Sequence, residues 1–392
     1  MTLQKGLSRR GFLAAGQGLL VTAALAKPAL VWAGAPGEQR LVVVVLRGGL
    51  DGLDLLRPYE DPDWLRLRPN LAKGAGKVSL EVAPGFALHP SLKPLLPLWE
   101  FGELAFAPAV ATPYRDQRSH FEGQDILEQG GAVSGERQDG WLNRVLGALP
   151  GTRPKGYAVA VARNRMLLLS GRQEALFWSP GSDLRSEETA SLLDLLYAED
   201  PLFARALSAA READVVGDQV RAGLSSRKAT PKATAQLAAE MLKQEARIAA
   251  LSMGGWDTHV NQEKRLARGL KQLAEALLAL REDLGQEVWG KTTVMTVTEF
   301  GRTVAENGSA GTDHGTAAVM LLAGGALRGR RLYGEWPGLG EGQLYDDRDL
   351  LPTQDMRLYP AWALHSGFGL SRAALESDIF PGLAMGGDPK IL

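Results

Sequence analysis

Arg40-Leu41-Val42-Val43-Val44-Val45-Leu46, followed at once by Arg47-Gly48-Gly49-Leu50-Asp51-Gly52-Leu53-Asp54, decides the fold class. The first part is an unbroken apolar run, mostly β-branched. A strand with one wet face alternates apolar and polar residues. A strand without alternation is covered on both faces, as at the centre of a parallel sheet. The second part breaks the strand at paired glycines and places carboxylates just beyond its end.

The same rhythm recurs along the chain. Further strands are predicted at Glu103–Val110, Tyr157–Val161, Arg247–Met253, Thr292–Thr298 and Thr316–Leu322. Between them the pattern predicts helices at Ser91–Phe101, Ser186–Tyr197, Pro201–Leu224, Ala233–Lys243 and, much longer, Gln262 to Leu284. Alternating strands and helices predict an α/β fold, a three-layer sandwich around a mostly parallel central sheet. The stretch from about 186 to 244 is almost wholly helical and reads as a cap-like insertion into that fold.

In open α/β sheets, ligands bind beyond the carboxyl ends of the strands. After the Glu103–Val110 strand comes Tyr114-Arg115-Asp116-Gln117-Arg118-Ser119-His120-Phe121. After Arg247–Met253 comes Gly254-Gly255-Trp256-Asp257-Thr258-His259, and after Thr292–Thr298 comes Glu299-Phe300-Gly301-Arg302-Thr303. Gly311-Thr312-Asp313-His314-Gly315 stands just before the last strand. Three of the five histidines and several carboxylates are thus expected at one sheet edge, beside glycines that let backbone approach a ligand closely. Each piece also has an ordinary structural reading. Asp51 suits a turn, Asp313-His314 suits an Asx turn, and Ser119-His120-Phe121-Glu122 spells a capping box. His89 and His365 have no carboxylates in suitable positions and read as structural.

Composition narrows the chemistry. Lys plus Arg is 44 and Asp plus Glu is 45. That balance offers neither the basic field that nucleic acid requires nor a polybasic membrane patch. There is no cysteine, which excludes thiol nucleophiles, iron–sulfur clusters and cysteine-bound zinc. A metal site would have to be built from His, Asp and Glu. No Gly-x-Ser-x-Gly elbow occurs, which sets aside an α/β-hydrolase mechanism.

At the N-terminus, Ser8-Arg9-Arg10-Gly11-Phe12-Leu13 leads into an uncharged apolar stretch from Phe12 to Leu25. A basic region, a short apolar region and then small residues make a secretory signal, and adjacent arginines mark its twin-arginine form. The stretch is shorter than the roughly 20 apolar residues of a membrane span. Val31-Trp32-Ala33 offers a cleavage site, giving a signal peptide over 1–33 and a domain over 34–392. The twin-arginine export machinery is the expected partner, and the destination is periplasmic or secreted, with no stable membrane span after cleavage.

These residues together resemble a bacterial exported family known as domain of unknown function 1501. The resemblance rests on the twin arginines, the Arg47–Asp54 loop, Ser119-His120-Phe121-Glu122-Gly123-Gln124-Asp125, Gly255-Trp256-Asp257-Thr258-His259, Thr298-Glu299-Phe300-Gly301-Arg302 and Thr312-Asp313-His314-Gly315. That family is similar in turn to the alkaline phosphatase and sulfatase superfamily, whose members hydrolyse phosphate or sulfate esters with one or two divalent metals. The resemblance implies an alkaline-phosphatase-like fold and an exported metal-dependent hydrolase. It places Asp51 as the first metal-binding aspartate and Ser119 at the nucleophile. Asp257, His259 and His314 stand as later ligands. Glu299 keeps a carboxylate where the superfamily has Asp-His-Gly, and Phe300 replaces the histidine, so His120 is the candidate substitute. Asp313 is grouped with His314 as a further metal-site residue. Carboxylate and imidazole donors suit zinc, manganese or magnesium, one ion or two. Arg302 is a candidate oxyanion fork or a structural ion pair, with Arg47 and Arg118 weaker candidates for the same task. The substrate class would be a small-molecule or polymeric oxyanion ester. The rival expectation is a non-catalytic exported binding or scaffold protein on the same fold.

Overall fold

The computed structural model describes residues 38–73, 80–115, 117–178 and 230–392. The predicted signal peptide and the predicted helices at Ser186–Tyr197 and Pro201–Leu224 lie outside the described residues. The strands in chain order are β1 (Arg40–Arg47), β2 (Leu56–Arg57), β3 (Glu81–Ala83), β4 (Phe86–Leu88), β5 (Leu104–Ala111), β6 (Ala158–Val161), β7 (Leu176–Trp178), β8 (Ile248–Gly254), β9 (Thr292–Val297), β10 (Ala318–Ala323), β11 (Leu344–Tyr345), β12 (Asp349–Leu350) and β13 (Gln354–Asp355).

Eight of these form the main sheet in the order β13-β5-β10-β9-β1-β8-β6-β7. β1 runs parallel to both its neighbours, with Leu41 paired to Ile248 on one side and Thr293 on the other. The valine run is therefore central and two-faced, as its lack of alternation requires. Its odd and even residues feed different cores. Val42, Val44 and Leu46 pack in one cluster with the helices Pro231–Lys243 and Gln262–Trp289. Leu41, Val43 and Val45 pack in another, with the helices Trp141–Ala148 and Leu358–Phe368. Those are the three layers.

Among the described strands of the main sheet only β10 is reversed, antiparallel to both β9 and β5. A reversed strand brings the residues before it, rather than after it, to the edge where the parallel strands end. Gly311–Gly315 reaches that edge by this route. The long helix runs on to Trp289, beyond the expected Leu284, and breaks its regular conformation at Gly285 (φ 66°, ψ 169°). The described end of the expected insertion, Pro231–Lys243, packs into the helical layer against the long helix. No described helix is long and apolar enough to cross a membrane.

His89 is structural, as its sequence surroundings suggest. It is buried, and its Nδ1 accepts the Ser91 N–H at 3.1 Å at the start of the 3-10 helix Pro90–Leu95. Burial pushes its pKa down to about 4. In the unfolded chain it protonates near 6.5, so acid favours unfolding across that interval. Stability attributable to His89 should be intact above pH about 6.5 and fall by about 3 kcal/mol as pH drops to about 4. Denaturant titrations at stepped pH should show this slope, flattened in His89→Asn, whose amide oxygen can take the same capping bond.

Candidate metal centre

Backbone geometry first brings the strand-end loops together. β1 gives way to Gly48 with φ +126°, and a β-carbon there would lie 2.4 Å from the Asp257 backbone nitrogen. Only glycine lets the β1 and β8 loops come this close. Glu299, fully buried after β9, accepts the Gly48 N–H at 2.8 Å. Arg302 then ties the loops from beneath. It is 1% exposed and donates to the carbonyls of Gly49 (2.7 Å), Thr312 (3.0 Å), Trp256 (3.1 Å) and Gly48, and to Asp257 Oδ1 (2.6 Å). Its donors are committed, so Arg302 is a structural ion pair and clamp, not a free oxyanion fork.

On this platform three imidazoles converge on one carboxylate. His259 Nε2 lies 3.0 Å and His314 Nε2 3.3 Å from Asp257 Oδ1, and His120 Nε2 lies 3.6 Å from Asp257 Oδ2. Ligand atoms of His120, Asp257 and His314 all fall within 4.8 Å of one another. Each ring is oriented from behind. His120 Nδ1 meets Glu299 Oε1 at 2.8 Å, His259 Nδ1 meets Asp313 Oδ1 at 3.0 Å, and His314 Nδ1 meets the Arg118 carbonyl at 2.8 Å. All three partners are acceptors, which assigns the proton of each neutral ring to Nδ1 and leaves the Nε2 lone pairs facing inward.

This pattern tests the fit of a metal ion. His259 Nε2 and His314 Nε2 stand 2.9 Å apart. Two lone pairs at that distance repel unless a positive charge lies between or beside them. His120 Nε2 is buried without a hydrogen-bond partner among the described residues, and a buried polar atom left so is costly. Histidine ligands held at Nδ1 by a carboxylate or carbonyl are the usual supporting arrangement of a metal site. The donor set fits a divalent cation.

The electrostatics agree. Burial works to raise the Asp257 carboxyl, but the Arg302 guanidinium and the imidazoles outweigh it and hold it below the usual carboxylate range. Burial likewise opposes ionisation of Glu299, and its hydrogen bonds from His120, Gln124 and Gly48 overcome that. The Glu299 hydrogen bond raises the His120 pKa, making it a more basic donor. Asp313 is held low by its bonds from Asn307 and His259. Glu299 and Asp313 therefore stand behind the converging imidazoles of His120 and His259. Glu299→Gln keeps the shape but removes the charge behind His120. Its metal affinity, read by competition with a chelating indicator, should fall roughly 10- to 100-fold.

Asp51 is placed differently from the expectation. Both its oxygens are taken: Oδ1 accepts the Leu53 N–H at 3.1 Å, and Oδ2 pairs with Arg68 Nη1 at 2.6 Å and accepts from Gln262. Asp51 and Arg68 are 1% and 0% exposed, so Asp51 is an internal counter-ion outside the converging group. Ser119 stands at the N-cap of the helix His120–Gln129, but its side chain makes no capping bond. The capping box is not formed: Glu122 instead accepts from the Tyr114 hydroxyl at 3.3 Å, and that oxygen accepts the Ser119 N–H at 2.6 Å. Phe300 packs its ring against His120 and His314, with centroids 5.0 and 4.7 Å away. Arg47 is engaged with Glu128 at 2.6 Å, Gln124 and Ser252.

Sequence reading passed over Arg68, Gln262, Arg348 and Asp349. Gln262 carried a visible signal, a polar residue opening a helix three positions after His259. Buried, its amide joins Asp51 to Thr258 and Thr312.

A family model described as "Protein of unknown function (DUF1501)" matches residues 38–361. No curated protein matches the sequence. Among solved structures, the chain is similar to the lipoteichoic acid synthase LtaP from Listeria monocytogenes, at 9% identity over 86% of this chain and 74% of that one, with a TM-score of 0.41. It is similar to the C-terminal periplasmic domain of EptC from Escherichia coli in complex with Zn, at 11% identity over 75% and 74%, with a TM-score of 0.37. A protein in the alkaline phosphatase superfamily from Vibrio parahaemolyticus matches at 10% identity over 86% and 68%, with a TM-score of 0.36.

Proposed function

The chain belongs to the DUF1501 family, and from that premise we propose that it is an exported, metal-dependent hydrolase of phosphate or sulfate esters. The observation that carries the proposal is the convergence of three Nδ1-anchored imidazoles on Asp257. His120, Asp257, His259 and His314 would hold the ion, with Glu299 and Asp313 behind them. Zinc, manganese or magnesium suits these donors. A divalent ion at such a site lowers the pKa of a bound hydroxyl or water and neutralises the oxygens of a tetrahedral anion.

The chain's own residues supply the rest. Ser119 directly precedes His120 at the start of a ten-residue helix, and a helix N-terminus favours bound anions. Its hydroxyl is the proposed nucleophile. The serine oxygen bonds to phosphorus or sulfur as the ester bond breaks, and the serine proton leaves with the alcohol. Water then hydrolyses the serine ester, restoring the hydroxyl and releasing the anion. Export is proposed to run through the twin-arginine pathway, on the Ser8–Leu13 motif. Arg9→Lys with Arg10→Lys should retain the protein in the cytoplasmic fraction.

A second reading has specific support. Phe300 fills the place where the resemblance expects a further histidine, and Asp51 is consumed by Arg68. Both favour one metal at most and suit a non-catalytic binding protein. The two readings separate on one experiment. The metal-reloaded mature chain is assayed against aryl phosphates and aryl sulfates, beside Ser119→Ala and Asp257→Asn. Metal-dependent turnover lost in both variants supports the hydrolase. Full metal content with no turnover of any ester leaves the binding protein.

A further inference from the structure

Behind His259 and Asp313 lies a turn held by one side-chain amide. Asn307 Nδ2 donates to the His259 carbonyl at 3.0 Å and to Asp313 Oδ1 at 3.1 Å, the same oxygen that meets the His259 ring. Asn307 Oδ1 accepts the backbone N–H groups of Ser309 at 2.8 Å and Gly311 at 3.1 Å. A β-carbon at Gly311 would lie 2.3 Å from the His259 carbonyl oxygen, so the turn is pressed against the loop that carries His259. Asn307 thus fixes both the His259 backbone and the carboxylate behind its ring.

The next residue is Gly308. It is exposed, a β-carbon there would meet nothing within 4 Å, and its N–H donates to no group among the described residues. Without a β-carbon, a glycine nitrogen approaches the preceding side chain unobstructed. Addition of that nitrogen to Asn307 Cγ would gather negative charge on Oδ1, where the Ser309 and Gly311 N–H groups already point. Donors preorganised in this way lower the barrier to acyl transfer.

We propose that Asn307-Gly308 is a deamidation site and that its conversion weakens metal binding at the adjoining centre. The Gly308 nitrogen, having lost its proton to solvent, bonds to Asn307 Cγ. The Cγ–Nδ2 bond breaks, and the nitrogen leaves as ammonia with a proton from water. Water then opens the cyclic imide at either carbonyl, leaving an aspartyl or an isoaspartyl residue. An oxygen now replaces Nδ2 opposite the His259 carbonyl and Asp313 Oδ1. Two donated bonds are lost, and two carboxylates face each other at short range, where like charges repel most. The effect on the ion rests on the metal-centre reading; the chemistry at position 307 does not.

Metal-free parent, Gly308→Ala and Asn307→Asp are held in mildly alkaline buffer and sampled over time. The tryptic peptide 303–328, in which Asn307 is the sole side-chain amide, is mapped by mass spectrometry for conversion to acid and for isoaspartate. Zinc affinity of the intact protein is read by competition with a chelating indicator. Conversion should accumulate in the parent, and the converted chain should bind zinc roughly 10- to 100-fold more weakly, as on loss of a group behind a ligand. Asn307→Asp should show that loss from the outset. Gly308→Ala, whose added methyl crowds the attacking nitrogen, should keep its amide and the parental affinity. A parent amide that persists as long as that of Gly308→Ala overturns the proposal, as does unchanged zinc affinity in the converted chain or in Asn307→Asp. A parent that never binds zinc ends the metal-centre reading and the weakening with it, while the peptide map still decides the modification.

Discussion

His314→Ala should strip the protein of its metal. Purified without chelator and reloaded with zinc or manganese, the parent is expected to retain about one ion per chain after desalting, as a four-donor site would. The variant should retain almost none, with affinity lowered by more than the roughly 10- to 100-fold typical of supporting residues, because His314 is proposed to supply a donor atom itself. Its Nε2 lies within 3.3 Å of both Asp257 Oδ1 and His259 Nε2. Truncation opens one side of the site and relieves the close nitrogen pair. Elemental analysis by plasma mass spectrometry decides it. Parent protein that stays metal-free after soaking would end the metallohydrolase mechanism, and a His314→Ala protein that keeps its ion would move the site elsewhere.

Asp51→Ala should behave in the opposite way, damaging the fold while leaving metal content per folded chain unchanged. Arg68 is fully buried and its Nη1 depends on Asp51, while Nε and Nη2 donate to the carbonyls of Val304 and Thr303 at 2.7 and 2.8 Å. Removing the carboxylate leaves a buried charge without its counter-ion, a loss of about 3–5 kcal/mol. Removing both partners together is often far less costly than removing one. Asp51→Ala with Arg68→Met should therefore recover much of the lost stability in urea titrations. If Asp51→Ala instead abolishes metal binding in a chain of normal stability, Asp51 is a ligand and the ion pair is incidental.

These two residues also show how far the sequence could be read. The valine run of β1 declared its two-sided burial through simple lack of alternation, and the sheet edge gathered Asp257, His259, Glu299 and His314 as strand-end reasoning expects. What one dimension hides is competition for a carboxylate. Asp51 and Asp257 look equivalent in the sequence, each just past a strand and close to glycine. Only the fold reveals that Arg68, 17 positions later, claims the first. Glu299 was legible as a participant but not as an orienting group behind His120, since that distinction is a matter of which oxygen faces which ring. Strand direction was hidden too. Nothing in the residues of β10 marks it as reversed, because burial on both faces produces the same apolar run in either direction.

The pairing of β1 has a further consequence, in time. Its neighbours in the sheet begin at Ile248 and Thr292, some 200 and 250 residues after it leaves the ribosome. At roughly 5–20 residues per second, this uncharged β-branched run waits on the order of 10–50 s for its partners. Arg40 and Arg47 close the run at both ends, as charged residues that flank unavoidable apolar strands do. In the finished molecule they occupy hydrogen bonds; on a nascent chain, charges so placed disfavour pairing of a valine strand with the wrong neighbour.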